Sequence, residues 1–230
     1  MFYFDSTYIL VIIGAIATMW ASSRVNSTFR KYAKIPSTSG MTGAQAADRL
    51  LKSAGIFDVS VEHITGNLTD HYDPKSKVLR LSDATYGSSS VAAVGVAAHE
   101  CGHAIQHKEN YVPLKLRGAL VPVANIGSKM GFPIIILGVI LSYNYYLIQV
   151  GIWVFSLAVL FQIVTLPVEF NASARAVRLV EQNGILSGYE VKECRTVLSA
   201  AALTYVAAAA ASVLQLLRLI MLFGGGRRRD

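Results

Sequence analysis

A long stretch with a single charge limits what this chain can fold into. Between Gly118 and Pro167 the only charged residue is Lys129. A helix needs about 20 apolar residues to cross a bilayer, so the stretch has room for two spanning helices. The tyrosine-rich segment 142–146 is the predicted turn, because tyrosines favour the headgroup level of a membrane. The second helix, 147–167, is clear, whereas Lys129 leaves open that the first lies partly along the interface.

Two further apolar runs lie nearer the ends of the sequence. Residues 6–23 carry no charge, with Asp5 before the run and Arg24 and other basic residues after it. A secretory signal carries positive charge before its apolar part, so this order favours a membrane anchor with its N-terminal side outside. Residues 197–223 are also long enough to span, but Arg218 leaves open a helix that does not fully cross.

The charge balance agrees with a membrane protein. The chain is 53% hydrophobic and 15% charged, whereas soluble domains are about 25% charged. Its net charge of +7 comes from basic residues that flank the apolar runs, which favours anionic lipid headgroups and not nucleic acid as the partner. Twelve Lys and Arg lie in 24–117 and four in 169–196, which places these regions inside the cell. The three arginines at 227–229 argue against that topology.

The most polar segment of the chain predicts a short helix and a small sheet. Thr42 can cap a helix over 43–53. Alternating apolar residues predict a strand around 59–64, and turn residues separate two more strands, 68–72 and 77–82. An edge strand of such an antiparallel sheet can bind an extended peptide through backbone hydrogen bonds. The predicted fold class is a mostly α membrane protein (α+β) with about four transmembrane helices and a small antiparallel sheet.

The run His-Glu-Cys-Gly-His at 99–103 carries the clearest chemical signal. His99 and His103 are four residues apart, so they share a helix face and can hold a zinc ion by two imidazole nitrogens. Glu100 lies beside that face, where a carboxylate can act as a general base. Residues 91–98 are apolar all round, which indicates a buried helix in which polar side chains need partners. His107 continues the spacing but lies about 12 Å from His99, too far to share the ion.

A third ligand is predicted where the membrane hairpin returns. Glu169 follows the second apolar helix, on the side from which the first one departed. Two histidines and one glutamate are a known catalytic zinc set that leaves a fourth position open. Asp70 and His71 are the next choices for a third ligand, although a solvated hairpin explains them better. Zinc ligands usually have hydrogen-bonding supports. The candidates for these supports are Asn171, Ser173 and Arg175.

Three stretches of the chain resemble a known family. They are Leu-Thr-Asp-His-Tyr-Asp-Pro at 68–74, Val-Ala-Ala-His-Glu-Cys-Gly-His-Ala at 96–104 and Leu-Pro-Val-Glu-Phe at 166–170. They resemble the YugP-like family of neutral zinc metallopeptidases in bacterial membranes. The resemblance implies a multi-pass protease of the bacterial inner membrane with His99, His103 and Glu169 on one zinc ion. The layout is also similar to membrane proteases of the HtpX type, which have an acidic residue after the glutamate where this chain has Asn171 and Ser173.

The predicted function is hydrolysis of peptide bonds by a zinc-activated water, with Glu100 as the base. Tyr205 and Arg175 are candidates for stabilising the oxyanion. The predicted partners are a peptide or membrane-protein substrate and the lipid bilayer. The alternatives are a zinc-binding membrane scaffold, a transporter, or an inactive protease that binds peptides without cleaving them. Glu100 disfavours the scaffold and the transporter, because a structural zinc site needs no base and usually fills all four positions with protein ligands.

These patterns divide the chain into five segments. They are a transmembrane anchor at 1–23, a cytoplasmic zincin-like region with the motif helix at 24–117, a transmembrane hairpin at 118–168, a third-ligand helix and connector at 169–196, and a C-terminal transmembrane or membrane-associated helix with a basic tail at 197–230.

Overall fold

The structure is a computed structural model that describes residues 5–224. Four helices in this range are long and apolar enough to cross a membrane, and a small sheet accompanies them. The predicted class, a mostly helical membrane protein with a small sheet, is therefore confirmed. The elements in chain order are α1 (Tyr8–Tyr32), α2 (Gly43–Ser53), β1 (Ser60–His63), β2 (His71–Asp73), β3 (Val78–Leu81), α3 (Val91–Lys108), α4 (Val112–Ile140), α5 (Tyr145–Gln182) and α6 (Tyr189–Phe223). The four apolar helices are α1, α4, α5 and α6.

The chain divides into two compact units. The first, called here the apolar unit, comprises Met1–Ala21, Lys115–Leu166 and Thr204–Asp230. The second, called the site unit, comprises Ser22–Leu114 and Pro167–Leu203. Each of the four long helices, α1, α4, α5 and α6, contributes residues to both units.

Helix α2 of the site unit begins and ends at the residues that the sequence predicts. The Thr42 hydroxyl accepts from the backbone N–H of Gln45 at 3.2 Å, and the Gln45 side chain accepts from the N–H of Thr42 at 3.0 Å. This reciprocal pair is a capping box. The helix stops before Gly55, whose φ of +68° lies in the left-handed region that favours glycine. Leu50 packs into a core that α3 and β3 also line.

The sheet has the strand order β1-β3-β2. Strands β2 and β3 are antiparallel, as the turn between them predicts, but β1 runs parallel to β3. The prediction of an antiparallel sheet is therefore wrong for β1, and the sheet is mixed. Alternating apolar residues indicate which face a strand buries and carry no information about the direction of its neighbour. Asp83, after β3, accepts from the N–H of Gly66 at 2.8 Å and contacts His63 at 2.7 Å, which joins the ends of the two parallel strands.

In the apolar unit, α4 and α5 form the predicted hairpin. The Asn144 side chain in its turn accepts from the N–H of Leu147 at 3.1 Å and so caps α5. Helix α4 is continuous from Val112 through Pro122 and Pro133, so it begins before residue 118. It packs closely on α5: a Cβ added at Gly127 would lie 2.6 Å from a backbone oxygen of α5.

Helices α1 and α6 also pack closely in the apolar unit. A Cβ added at Gly14 would lie 3.1 Å from Ala211. The guanidinium of Arg218 lies 4.1 Å from the centre of the Tyr8 ring and 3.8 Å from the Asp5 carboxylate. The end of α6 therefore lies beside the start of α1. The predicted basic tail at 227–229 lies outside the described residues.

Helix α5 continues through Pro167, where the sequence analysis separated a spanning helix from a third-ligand helix. Proline removes one backbone hydrogen bond and usually ends or kinks a helix. Here Val168, Ala172 and Ala176 follow it on one face and are fully buried, so packing holds the helical path. Glu169 therefore lies on the same continuous helix as the second candidate span.

The chain has two cysteines, and both belong to the site unit. Cys101 and Cys194 are free and buried. Burial raises the pKa of the Cys101 thiol, so its thiolate is disfavoured. The two side chains act as small apolar filling in the core of this unit.

Candidate metal centre

Helix α3 carries the two motif histidines on one face. The helix begins after Ser90, whose hydroxyl accepts from the N–H of Ala93 at 3.2 Å. The spacing of four residues brings the His99 and His103 rings to a centroid distance of 4.7 Å. Both side chains are largely buried, with 13% and 12% of their surface exposed. Imidazole rings that are buried to this extent need a polar partner, whether they are neutral or protonated.

Glu169 of α5 is that partner. Its Oε2 lies 3.2 Å from Nε2 of His99 and 3.6 Å from Nε2 of His103. The donor atoms of the three residues lie within 4.8 Å of one another, and no other group of three such donors comes together within residues 5–224. Zinc bonds of about 2.0–2.2 Å in a tetrahedral arrangement separate their donor atoms by roughly 3.4 Å. The three side chains therefore fit a zinc ion without rearrangement of their elements.

A glycine inside the motif permits this approach. A Cβ added at Gly102 would lie 2.6 Å from the backbone oxygen of Ala172 and 3.1 Å from its Cα. No side chain fits in that space, so α5 comes as close to α3 as the backbones allow. The approach places Glu169, less than one turn before Ala172, opposite the histidines.

Two uncharged side chains hold the outer nitrogens of the histidines. Ser173 Oγ lies 3.1 Å from His99 Nδ1, and Gln106 Oε1 lies 3.1 Å from His103 Nδ1. In both rings this leaves Nε2 directed at Glu169. A support of this kind fixes which nitrogen of a histidine binds a metal.

The three predicted supports lie at different distances from the histidines. Ser173 contacts His99 directly, whereas Asn171 Oδ1 accepts from Gln106 Nε2 at 2.9 Å. Arg175 is one contact further, because its Nε donates to Asn171 Oδ1 at 2.7 Å and its guanidinium pairs with Glu109 at 2.7 Å. The roles of these residues remain predictions.

Gln106 is the residue that the sequence analysis missed. Its side chain is fully buried and joins His103 to the backbone oxygen of Val168 and to Asn171. One signal was available: Gln106 is an uncharged polar residue on the histidine face of an otherwise apolar helix. Its partners lie far away in the sequence, so no local pattern predicts them.

The electrostatic field of the centre favours a positive charge. Glu100 is 7% exposed and lies beside the histidines on the same helix. Burial lowers the pKa of His103, but the contact with Glu169 and the charges of Glu100 and Glu169 outweigh burial and raise it. The carboxylates therefore stabilise positive charge at this position, on the imidazole or on a bound cation.

Asp70 and His71, the other candidates for a third ligand, lie outside the donor group. The Asp70 carboxylate accepts from the N–H and hydroxyl of Ser82, both at 2.9 Å, and His71 Nδ1 lies 2.9 Å from the Thr69 oxygen. Neither residue joins the donor group. Tyr205 belongs to the stretch of α6 in the apolar unit, and its role at the oxyanion remains a prediction.

His107 instead contacts the edge strand of the sheet. Its Nδ1 lies 2.9 Å from the hydroxyl of Tyr72, in β2. A cavity of about 250 Å³ opens beside this pair. Its lining residues are Gly55, Ile56, Asp58, Val59, Tyr72, Lys77, Ala104, His107 and Lys108. The end of the motif helix, the edge strand and a concave surface thus meet in one place.

Comparisons with known proteins agree with this centre. A family model described as "Putative neutral zinc metallopeptidase" matches residues 7–224. The chain belongs to this family, which confirms the family predicted from the sequence. The chain is also similar to a protein of Bacillus subtilis (strain 168) named "Putative membrane protease YugP", with 48% identity over 202 residues that cover 87% of this chain and 89% of that protein. No solved structure matches the chain. The description of the family thus supports a zinc metallopeptidase in general, and the relative is named as a membrane protease.

Proposed function

We propose that the protein is a zinc-dependent membrane protease that hydrolyses peptide bonds. The observation that carries the proposal is the group of His99, His103 and Glu169, whose donor atoms lie within 4.8 Å of one another beside the buried Glu100. Two histidines and a carboxylate leave one coordination position open, which is typical of catalytic zinc sites and not of structural ones.

In the proposed reaction the chain's own groups divide the work. A zinc ion on these three donors would polarise the scissile carbonyl and acidify a water molecule. Ser173 and Gln106 contact the Nδ1 atoms of the histidines, which leaves both Nε2 atoms available. The Glu100 carboxylate accepts the proton of the attacking water and delivers it to the nitrogen of the leaving amine.

We further propose that the substrate is an extended peptide. Strand β2 forms an edge of the sheet, and backbone groups at an edge can pair with an added strand. The contact between Tyr72 of β2 and His107 of α3 supports this placement, because it fixes the edge strand beside the motif helix. Natural substrates would be peptides or unfolded segments of membrane proteins.

The positive-inside rule supports a cytoplasmic centre in the inner membrane. The segments 24–117 and 169–196, which supply nearly the whole site unit, together carry sixteen of the 21 Lys and Arg of the chain. The described residues contain four candidate spans, an even number that returns the chain to its starting side.

The test is cleavage of an unfolded protein such as casein by the intact chain purified in detergent, together with metal analysis. We expect about one zinc per chain and cleavage that a chelator abolishes and added zinc restores. Glu100→Gln should retain zinc and lose at least about 100-fold in rate, the contribution of a general base. Glu169→Ala should lose zinc, whereas Glu181→Ala, an exposed position on the same helix, should change neither property.

Each result separates the alternatives. Zinc binding without any cleavage would favour the scaffold, the transporter or the inactive protease. Wild-type rates in Glu100→Gln would contradict the mechanism, and unchanged zinc content in Glu169→Ala would move the third ligand to another residue.

A further inference from the structure

A fully buried glutamine lies one turn after His103 on helix α3. The exposed fraction of Gln106 is 0%, although its side chain carries one acceptor and two donors. All three are used: Oε1 contacts His103 Nδ1 at 3.1 Å, and Nε2 donates to the backbone oxygen of Val168 and to Asn171 Oδ1, each at 2.9 Å. A buried amide that is satisfied in every direction has a single orientation.

These contacts determine where the proton of His103 lies. Both partners of Nε2 are oxygens that can only accept, so the nitrogen of the amide faces α5 and its oxygen faces His103. That oxygen can only accept in its turn, so His103 carries its proton on Nδ1. Nε2 is then the nitrogen that is left to face Glu169, 3.6 Å away.

The same side chain is attached to the backbone that carries the third donor. Val168 directly precedes Glu169, and Asn171 follows it by two residues on the same helix. One amide therefore fixes the ring of His103 and, through two further bonds, its position relative to Glu169.

We propose that Gln106 is the positioning residue of the metal centre: it sets the Nδ1–H form of His103 and presets the approach of Glu169 before a metal binds. The proposal rests on the metal assignment made under the proposed function. Gln106 contacts neither the donor group's inner nitrogens nor Glu100, so it acts through His103 and α5.

A purely structural role would make a different prediction. If Gln106 only joined α3 to α5, its two N–H bonds would carry the effect and its oxygen would be dispensable. Gln106→Glu separates the two functions, because it retains an oxygen for His103 and lacks the amide donors. Gln106→Met removes all polar contacts at similar size, and Gln182→Met, at an exposed position of α5, is the matched control.

The experiment uses the intact chain in detergent and three measurements. They are the zinc dissociation constant by chelator competition, the thermal midpoint of the metal-free protein, and the protonated nitrogen of His103 by ¹⁵N NMR without metal, at a pH high enough for the ring to be neutral. We expect Gln106→Met to weaken zinc binding about 10–100-fold, the usual effect of losing a support to a ligand, and to lose the Nδ1–H preference. Gln106→Glu should bind zinc within about fivefold of wild type and keep the Nδ1–H form, while its thermal midpoint falls as far as that of Gln106→Met.

Two results would overturn the proposal. One is a wild-type zinc constant and Nδ1–H form in Gln106→Met, and the other is equal loss of zinc in both variants in proportion to their thermal midpoints. The proposed function fails separately. If the wild-type chain binds zinc and cleaves nothing, hydrolysis is refuted and the Gln106 measurements stand. If it binds no zinc, the metal assignment is refuted and the proposal for Gln106 is refuted with it.

Discussion

Helix α5 makes a close backbone contact in each unit, and the two contacts are built differently. In the site unit, Gly102 of α3 faces Ala172, and an added Cβ would lie 2.6 Å from a backbone oxygen. In the apolar unit, Gly127 of α4 faces Val154 at the same hypothetical distance. Each contact depends on a glycine, because only its absent side chain lets two helices approach so closely.

What surrounds the two glycines differs. Next to Gly127 the contact is apolar, with Phe132 edge-on to Phe155 at a ring distance of 5.4 Å. Next to Gly102 a ladder of hydrogen bonds joins the helices. Its members are His99 with Ser173, His103 with Gln106, Gln106 with Val168 and Asn171, and Arg175 with Asn171 and Glu109. Apolar contacts tolerate small shifts in register, whereas directional bonds fix the orientation of each side chain.

The largest expected effect comes from filling the two glycines. Gly102→Ala and Gly127→Ala should each lower the free energy of unfolding by about 1–3 kcal/mol, because each methyl group collides with backbone. Only Gly102→Ala should separate Glu169 from the histidines, and its zinc affinity should fall at least about 100-fold, more than the loss of a single support. Thermal unfolding and chelator competition on detergent-purified protein measure both effects.

The two glycine variants are controls for each other. Gly127→Ala should bind zinc within about twofold of wild type, since the neighbours of Gly127, Val154 and Ala158, belong to the apolar unit and not to the donor group. Equal zinc loss in both variants would mean that the two contacts are not distinct in function.

An intermediate effect is expected at Ser173. Ser173→Ala removes the hydroxyl that contacts His99 Nδ1 at 3.1 Å and leaves the apolar contacts intact. Zinc affinity should fall about 10-fold, which is the lower range for a lost support. Ser212→Ala, where the hydroxyl only contacts its own helix, is the matched control. Unchanged affinity in Ser173→Ala would exclude the serine from metal binding.

The smallest effect is expected at the exposed end of the ladder. The Glu109 side chain is 52% exposed and pairs with Arg175 at 2.7 Å. Exposed ion pairs contribute at most about 1 kcal/mol, and salt screens them. Glu109→Gln should therefore shift the thermal midpoint slightly at low salt, not at high salt, and leave zinc affinity unchanged. A loss of zinc affinity in this variant would show that the exposed ion pair also supports the metal centre.

The sequence predicts those features of the site that depend on local geometry. A spacing of four residues brings His99 and His103 together on any helix, and the structure places them so. Glu169 required one more step, the return of the chain through a hairpin, and its carboxylate lies at the histidines. Ser173 and Gln106 hold their positions through contacts between helices, which a single sequence does not specify.

The features of the fold divide in the same way, into those that local sequence predicts and those that it does not. Apolar length predicts the four candidate spans, and Thr42 predicts the start of α2. The predicted antiparallel pairing of β1 is wrong, because an alternating pattern fits a parallel neighbour as well as an antiparallel one. The sequence predicts the end of a helix at Pro167. The helix continues because burial of the residues after Pro167 outweighs the loss of one backbone hydrogen bond.

The buried cysteines give the chain a natural reporter. Cys101 and Cys194 both lie in the site unit, and the apolar unit has none. A thiol reagent can modify them only when this unit opens, so the rate of labelling measures its local unfolding without an engineered probe. Metal that binds the closed form should slow the labelling, and chelation should restore it. The chemistry of two side chains that take no part in the reaction would thus report whether the centre is loaded.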